Sequence, residues 1–468
     1  MTDKELYKKL RYERKEVSKE ISGDEMRKVL DFADGYREFL DIGKTERECV
    51  KESVKMAEEN GFVLLDNTES LKPGDKVYTI NRDKNIVLAV IGSDSIENGF
   101  NLVGAHIDSP RLDLKQNPLY ESDGVALLKT HYYGGIKKYQ WVAMPLALHG
   151  VVYKKNGEKV EIVIGEDEND PVFTVTDLLP HLAQNQYEKS LRDAFNGEGL
   201  NIMIGGIGIG SDDIKDKVKY NILNILSINY DITEEDFLRA EIEAVPAYKA
   251  RNVGLDSAFI GAYGQDDRVC AYTALKGILE TEMPKKTAIC FLVDKEEIGS
   301  VGNTGMLSRY FDLVVMELIA KMTGKTDMLT FSRVMAKSAC LSSDVGAAFD
   351  PNFPEVAEKN NSCYQGNGIA LMKYTGSRGK SGASDASAEF LSRIYKIFDE
   401  NGVIWQTTEL GKVDQGGGGT IAMYVANLNM DVIDCGVPVF SMHSPFEIVA
   451  KTDVYMAYKA YKAFYSEK

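Results

Sequence analysis

Five short segments hold most of the reactive side chains in this sequence. They are Gly104-Ala-His106-Ile-Asp108-Ser-Pro110, Gly264-Gln-Asp266-Asp267-Arg268, Phe291-Leu-Val-Asp294-Lys-Glu296-Glu297-Ile-Gly299, Ser342-Ser343-Asp344-Val345 and Phe440-Ser-Met-His443-Ser-Pro445-Phe-Glu447. Their shared chemistry is that of imidazoles and carboxylates. Such donors suit hard or borderline divalent cations. Hydrolysis at a cation pair needs one more carboxylate, left free to take a proton from water.

In the first segment, strand alternation puts His106 and Asp108 on one face. His106 then reads as a ligand whose other ring nitrogen is held by Asp108. A surface histidine before a turn-capping aspartate is the plainer alternative. In the second, a cis peptide would let Asp266 bridge two ions beside Asp267. Taken alone, the pair reads more simply as a helix N-cap with acids that favour the dipole. In the third, an apolar strand ends directly in acids, and ligands of open α/β sheets gather beyond strand carboxyl ends. Glu297 would bind metal and Glu296 would stay free as general base, with solvated turn acids as the rival. Asp344 alone reads as a loop or cap residue, and His443 alone as a structural histidine after an apolar strand. Their order along the chain, His, Asp, Glu-Glu, Asp, His, carries more than any one motif.

The surrounding elements are those of an α/β protein. Asp24–Asp41 and Glu46–Gly61 carry helical spacing, and Lys76–Ile91 and Asn101–Ile107 read as strands. From about Leu112 to Ala244 the texture changes to strand-like runs, Trp141–Leu148, Val151–Tyr153 and Val160–Ile164, which predicts a β-rich insert. After Val253 an alternation resumes: helix Asp266–Glu280, strand Thr287–Val293, a helix starting at Thr304–Arg309, helix Ser384–Glu400, strand Val403–Thr408, helix Gly419–Asn427, strand Val437–Met442 and a last helix over Thr452–Tyr465. That pattern predicts a sheet covered on both faces. The expected division is a discontinuous catalytic domain, 1–110 with 250–468, interrupted by a β-rich domain, 111–249.

Composition narrows the class. The chain has 468 residues and is 44% hydrophobic and 27% charged, enough for a large core and more than one domain. Its net charge of −16, with no basic cluster, argues against nucleic acid and anionic lipid as partners. The N-terminal stretch is too charged for a signal peptide, and the apolar runs are strand-length, so no membrane association is expected. Six scattered cysteines without a CxxC pair argue against a disulfide framework and a thiolate zinc site. A cytoplasmic location is the expectation. Gly379-Lys380-Ser381 is no P-loop, because Tyr374 stands at the required glycine. HExxH and GxSxG are absent.

Taken together, the five segments and the stretch Gly134-Gly-Ile-Lys-Lys-Tyr-Gln-Trp141 resemble the aspartyl aminopeptidase and vacuolar aminopeptidase I family, metallopeptidase family 18, over nearly the whole chain. The resemblance implies a mixed-sheet, zinc-exopeptidase-like catalytic domain with an inserted β-rich dimerisation domain. It implies a zinc-dependent aminopeptidase with two divalent ions per subunit, Zn2+ foremost and Co2+ or Mn2+ as alternatives. Residue by residue, it makes His106, Asp266, Glu297, Asp344 and His443 metal ligands, with Asp266 bridging. Glu296 becomes the base that activates a metal-bridged water, and Asp108 the acid behind His106.

On that reading His106, Asp266 and Asp344 hold one ion, and Asp266, Glu297 and His443 the other. Peptides with an acidic or neutral N-terminal residue are the expected substrates, and self-association from dimer to dodecamer the expected assembly. Candidate substrate contacts are His181, Lys380, Gly417 and Gly418, the glycines because backbone in the Gly416–Gly419 run can approach a ligand closely; a simple tight loop serves equally. The chain departs from acid-specific members at Pro180-His181-Leu182-Ala-Gln-Asn185, where Asn185 replaces a second histidine. It departs again at Arg378–Ala383, which does not align with their basic segment. The alternatives are a metallo-carboxypeptidase or deacylase on the same scaffold, and a non-catalytic assembly protein on a decayed one.

Overall fold

The apolar runs of the C-terminal half assemble around a mixed sheet. The structure, a computed structural model, describes all 468 residues. Nine strands pair in the order Val63–Leu64, Lys76–Asn81, Asn85–Val90, Thr287–Val293, Phe100–His106, Ala339–Ser342, Asp431–Gly436, Ile369–Met372, Trp405–Thr407. The architecture is mixed α/β. Every residue of Phe100–His106 and Thr287–Val293 is buried, because helices cover both faces. On one face the helices Gly23–Ile42, Glu46–Glu59, Gln265–Leu279, Ala388–Glu400 and Lys451–Tyr465 pack around Val103, Leu292 and Leu341; on the other, Tyr310–Thr323 packs on Leu102, Phe291 and Cys340. Each fully buried Leu, Ile or Phe contributes about 1.5–3 kcal/mol, so the sheet centre is a firm frame.

Register carries this frame to the reactive residues. Thr287–Val293 and Phe100–His106 run parallel with Val293 opposite His106. Ala339–Ser342 runs parallel on the other side with Ser342 opposite Gly104. The residues that follow the two flanking strands, Glu296, Glu297 and Asp344, therefore leave the sheet on the edge where His106 ends its own strand.

A second sheet, of seven strands, is built wholly from residues between Arg111 and Pro246, in the order Lys159–Ile164, Leu146–Tyr153, Ala240–Pro246, Arg111–Ser122, Val125–Tyr133, Ile202–Gly205, Thr174–Val175. One helix, Lys217–Tyr230, packs on it through Val218, Ile222 and Leu226.

Several boundaries differ from the sequence reading. Lys76–Ile91 is a hairpin, turning at Arg82 and Asp83, both at positive φ. Trp141 belongs to a short 3-10 turn, and the strand begins at Leu146 and runs through Tyr153. Thr304–Arg309 starts no helix; the helix begins at Tyr310, past the turn built on Ser300 and Gly305. The helix after the glycine run spans only Ala422–Ala426. Val437–Met442 yields only the short strand Pro438–Val439, while the sheet takes Asp431–Gly436. That strand escapes a pattern search because its Asp434 is buried, accepting hydrogen bonds from Ser342 (2.8 Å) and Thr420 (2.6 Å). The Lys217–Tyr230 helix escapes because Ile, Asn and Tyr have middling helix propensity.

The two sheets meet through buried charge. Lys44 Nζ donates to Glu166 Oε1 (2.6 Å) and to the carbonyls of Pro246 (2.7 Å) and Tyr248 (3.1 Å). His149 lies between Glu48 (2.7 Å) and Glu166 (3.0 Å). Burial lowers the His149 pKa, but the hydrogen bonds to Glu166 and Glu48 outweigh it and leave it raised. A raised histidine stabilises fully below its unfolded value of about 6.5, and the contribution is lost as pH rises through the folded value. The thermal-midpoint advantage of the wild type over His149→Gln is therefore expected to be larger at pH 6 than at pH 9. An advantage independent of pH would show that the imidazolium does not bind this joint.

Candidate active site

Each reactive side chain has a structural reason for its position. His106 closes its strand, 2% exposed, and Asp108 follows, fully buried. His106 Nδ1 lies 2.9 Å from the Asp108 carbonyl oxygen and 3.4 Å from Asp108 Oδ1, so Asp108 holds the ring through both groups. The Asp108 carboxylate also accepts the backbone N–H groups of Glu296 (3.1 Å) and Glu297 (3.2 Å). It thereby fixes the turn that carries both glutamates.

Asp266 enters from the start of the Gln265–Leu279 helix. The Asp266–Asp267 peptide is cis, and both residues depart from helical angles. The preceding Gly264 has φ +70°, and a Cβ there would lie 1.8 Å from Arg268 Nη1, so only glycine fits. Asp266 Oδ1 lies 3.1 Å from His106 Nε2, and Asp266 Oδ2 lies 3.2 Å from His443 Nε2. One carboxylate thus faces two imidazoles from residues 337 positions apart in the chain. His443 Nε2 is also 3.5 Å from Glu297 Oε1, and His106 Nε2 is 3.9 Å from both Asp344 Oδ1 and Glu296 Oε2.

The electrostatics are lopsided. Asp108, Asp266, Asp267, Glu296, Glu297 and Asp344 crowd around His106 and His443. Burial, then the neighbouring acids, push Glu296 up to about 7 and hold Glu297 well above the carboxylate range. Burial and Asp267 do the same to Asp344. Burial opposes the charged form of His443, yet Asp266 and Glu297 push it up to about 10. Asp266, despite burial, is lowered by both histidines.

Concentrated negative charge without enough positive charge suits cations. Three donor groups have ligand atoms within 4.8 Å of one another: His106, Asp266 and Glu297; His106, Glu296 and Asp344; Asp266, Asp267 and Asp344. Glu297 Oε1 and Asp267 Oδ1 are buried with no hydrogen-bond partner. The residues present therefore fit divalent metal. Glu296 falls in one of those groups, so proximity alone does not separate base from ligand.

The site opens to a cavity of about 420 Å³ lined by Asp266, Glu296, Glu297, Asp344, His443, the glycines Gly417–Gly419 and the apolar Met372, Leu410, Met423 and Met442. Gly417 and Gly418 of the sequence reading are thus at the site, paired with Gly376–Ser377. Lys380 is not: its ammonium lies over the Tyr374 ring (3.7 Å) and pairs with Asp385 (3.2 Å). His181 sits exposed on the Pro180–Leu182 turn and lines no part of this cavity.

Three groups in contact with the site had no role assigned from sequence. Glu447 Oε2 accepts the Asp266 N–H (3.0 Å) and Oε1 the His443 N–H (2.7 Å), tying the Asp266 and His443 segments together. Strand pairing explains how it arrives, since Glu447 sits opposite Ala262, four residues before Asp266. The only sequence signal was an acid set in an apolar strand. The other two are Tyr133, which donates to Asp108 Oδ2 (2.8 Å), and the Gly135 carbonyl, 2.9 Å from His443 Nδ1.

Known proteins share this fold. The aminopeptidase I zinc metalloprotease (M18) family matches residues 39–465. A probable M18 family aminopeptidase 1 of Clostridium acetobutylicum is 52% identical over 94% of this chain and 95% of its own. The crystal structure of an M18 aminopeptidase from Thermotoga maritima superposes with a TM-score of 0.94 at 45% identity, covering 98% of this chain and 100% of that one. The mApe1 dodecamer of S. cerevisiae shares the fold, with a TM-score of 0.74 at 21% identity over 93% of this chain and 97% of its own.

Fold and site thus define a metallopeptidase. The chain belongs to the M18 family of aminopeptidases, the aminopeptidase I zinc metalloproteases.

A buried backbone N–H left without its acceptor costs about 1–3 kcal/mol. Glu447→Ala strands the buried Asp266 N–H and the part-buried His443 N–H, so it is expected to lower the urea-unfolding free energy of the metal-free protein by about 1–3 kcal/mol, and Glu447→Gln by less. Equal stability of Glu447→Ala and wild type would show that the clamp is not formed.

Proposed function

We propose that this chain is a two-metal aminopeptidase that hydrolyses the N-terminal residue from peptides, with His106, Asp266, Glu297, Asp344 and His443 as ligands. The observation that carries this reading is Asp266, whose two oxygens address different histidines 3.1 and 3.2 Å away. A carboxylate so placed suits a bridge between two cations. The imidazole and carboxylate donors favour zinc, with cobalt and manganese as substitutes. Bound there, the ions supply Lewis acidity that acidifies water and polarises the scissile carbonyl.

The protein's own groups do the rest. Glu296 takes a proton from the attacking water on its carboxylate and passes it to the leaving amine. Its carboxylate stands beside the proposed ligands, 3.9 Å from His106 Nε2, where a general base for metal-activated water is needed. Asp108 keeps His106 in the tautomer that leaves Nε2 free for a ligand bond, and locks the Glu296–Glu297 turn. The acid-lined wall attracts the α-ammonium of a peptide N-terminus, which restricts cleavage to the terminal residue.

The side chain of that residue meets Met372, Leu410, Met423 and Met442, with no lysine or arginine among the lining residues. Neutral N-terminal residues are therefore preferred over acidic ones. A wider cavity of about 950 Å³ shares Gly135, Leu410, Met442 and His443 with the first and gives the departing peptide room.

Residues 1–110 and 250–468 form the catalytic unit, and 111–249 an assembly unit. Exposed Val172, Leu182, Ile225 and Ile228 on the latter support self-association, from dimer to dodecamer. No helix is long and apolar enough to cross a membrane.

On aminoacyl chromogenic substrates, leucyl and methionyl derivatives should turn over faster than aspartyl and glutamyl ones, and prolonged chelation should abolish all activity. Activity that survives chelation contradicts the metal reading; faster aspartyl turnover contradicts the neutral pocket. Glu296→Gln should retain stoichiometric metal yet lose about 10²–10⁴-fold in kcat. Full turnover by that variant removes Glu296 from the role of base.

A further inference from the structure

The seven-stranded sheet reaches the metal centre through one segment. Its Val125–Tyr133 strand ends at Tyr133, nearly buried, whose hydroxyl donates to Asp108 Oδ2 at 2.8 Å. Asp108 is the carboxylate behind His106 and the acceptor for the Glu296 and Glu297 N–H groups. Two residues on, the Gly135 carbonyl accepts from His443 Nδ1 at 2.9 Å, which turns Nε2 toward Asp266 and Glu297. This one stretch therefore supplies an outer hydrogen bond on the path to each histidine.

Its backbone also packs tightly against the site. Gly134 has φ +73°, and a Cβ there would lie 3.2 Å from Glu297 Oε2. A Cβ at Gly135 would lie 3.1 Å from His443 Nδ1. Tyr133 is itself anchored at the joint between the sheets. The Arg111 guanidinium sits 3.9 Å from its ring centroid and pairs with Asp113 (2.8 Å), Glu243 (3.1 Å) and Glu46 (3.5 Å). Glu46 opens the Glu46–Glu59 helix, which belongs to the layer on the nine-stranded sheet. The position of the second sheet is thereby passed to the metal ligands.

We propose that Tyr133 and Gly135 are positioning residues of the metal centre, so that docking of the seven-stranded sheet sets the affinity for the catalytic cations. Outer partners of metal ligands act by fixing ring orientation and tautomer, and their loss weakens metal binding by about 10–100-fold. The proposal rests on the reading that His106, Asp266, Glu297, Asp344 and His443 hold the metal.

The test is zinc affinity of the full-length metal-free protein, by competition with a fluorescent chelator, for the wild type, Tyr133→Phe, Gly135→Ala, Tyr132→Phe and His106→Ala. Thermal unfolding of each metal-free chain is followed in parallel. Tyr133→Phe should weaken zinc binding about 10–100-fold while the metal-free chain remains folded at the assay temperature. Gly135→Ala should weaken it too, and Tyr132→Phe, an exposed neighbour on the same strand, should leave it as in the wild type. His106→Ala should lose the site.

If Tyr133→Phe binds zinc within twofold of the wild type while His106→Ala has lost it, the positioning role is overturned and the metal site stands. A weakening seen only where the metal-free Tyr133→Phe chain is itself partly unfolded assigns Tyr133 to packing alone and overturns the role as well. Undiminished binding by His106→Ala overturns the metal reading beneath it.

Discussion

Six carboxylates share a largely water-excluded corner with two imidazoles, and the surrounding fold answers to the repulsion among them. Burial already disfavours ionised Glu296, Glu297 and Asp344, and each acid raises the pKa of the next. Uncompensated charge of this density would favour moving the groups apart or protonating them. The structure instead holds the carboxylates together, with Asp266 between the imidazoles and two buried oxygens lacking any partner. A rigid frame that keeps like charges together stores binding energy for cations.

The frame works by register. Three parallel strands end within two residues of one another, so the buried sheet centre sets acids just beyond adjacent strand ends. Asp266 and His443 come from outside the sheet and need tethers. Glu447 ties the segment of Asp266 to that of His443 through two backbone hydrogen bonds. Asp108 ties His106 to the Glu296–Glu297 turn. Each tether is a carboxylate spending its lone pairs on backbone N–H groups, which makes the placement of the tied segments insensitive to side-chain freedom. The second sheet closes on the acidic cluster from the far side through Tyr133 and the Gly135 carbonyl, so that cluster and sheet packing form one connected structure.

What the sequence disclosed follows from where the physics is local. His106, Glu296 and Glu297 were legible because apolar runs stop at them, and strand ends are where an α/β sheet presents groups. The helices Gly23–Ile42 and Lys451–Tyr465 were legible from 3.6-residue spacing. Asp344 and His443 read alone as a loop residue and a structural histidine after an apolar strand; their order among the five segments and the resemblance to the family gave them a role. Tyr133 and Gly135 looked like strand end and turn, because their partners lie far along the chain. Asp431–Gly436 was missed since a buried aspartate breaks the apolar pattern, its cost offset by two hydroxyl donors that only the folded chain brings near. His181 and Lys380 show the converse, residues singled out by resemblance that this chain places away from the cavity.

Anomalous scattering from crystals of the zinc-loaded protein addresses the account most directly. Two zinc peaks are expected, one on each side of the Asp266 carboxylate. One should lie about 2.0–2.1 Å from His106 Nε2 and the other at the same distance from His443 Nε2. Glu296 should bind neither. A single peak, or peaks that leave Asp266 unligated, would contradict it.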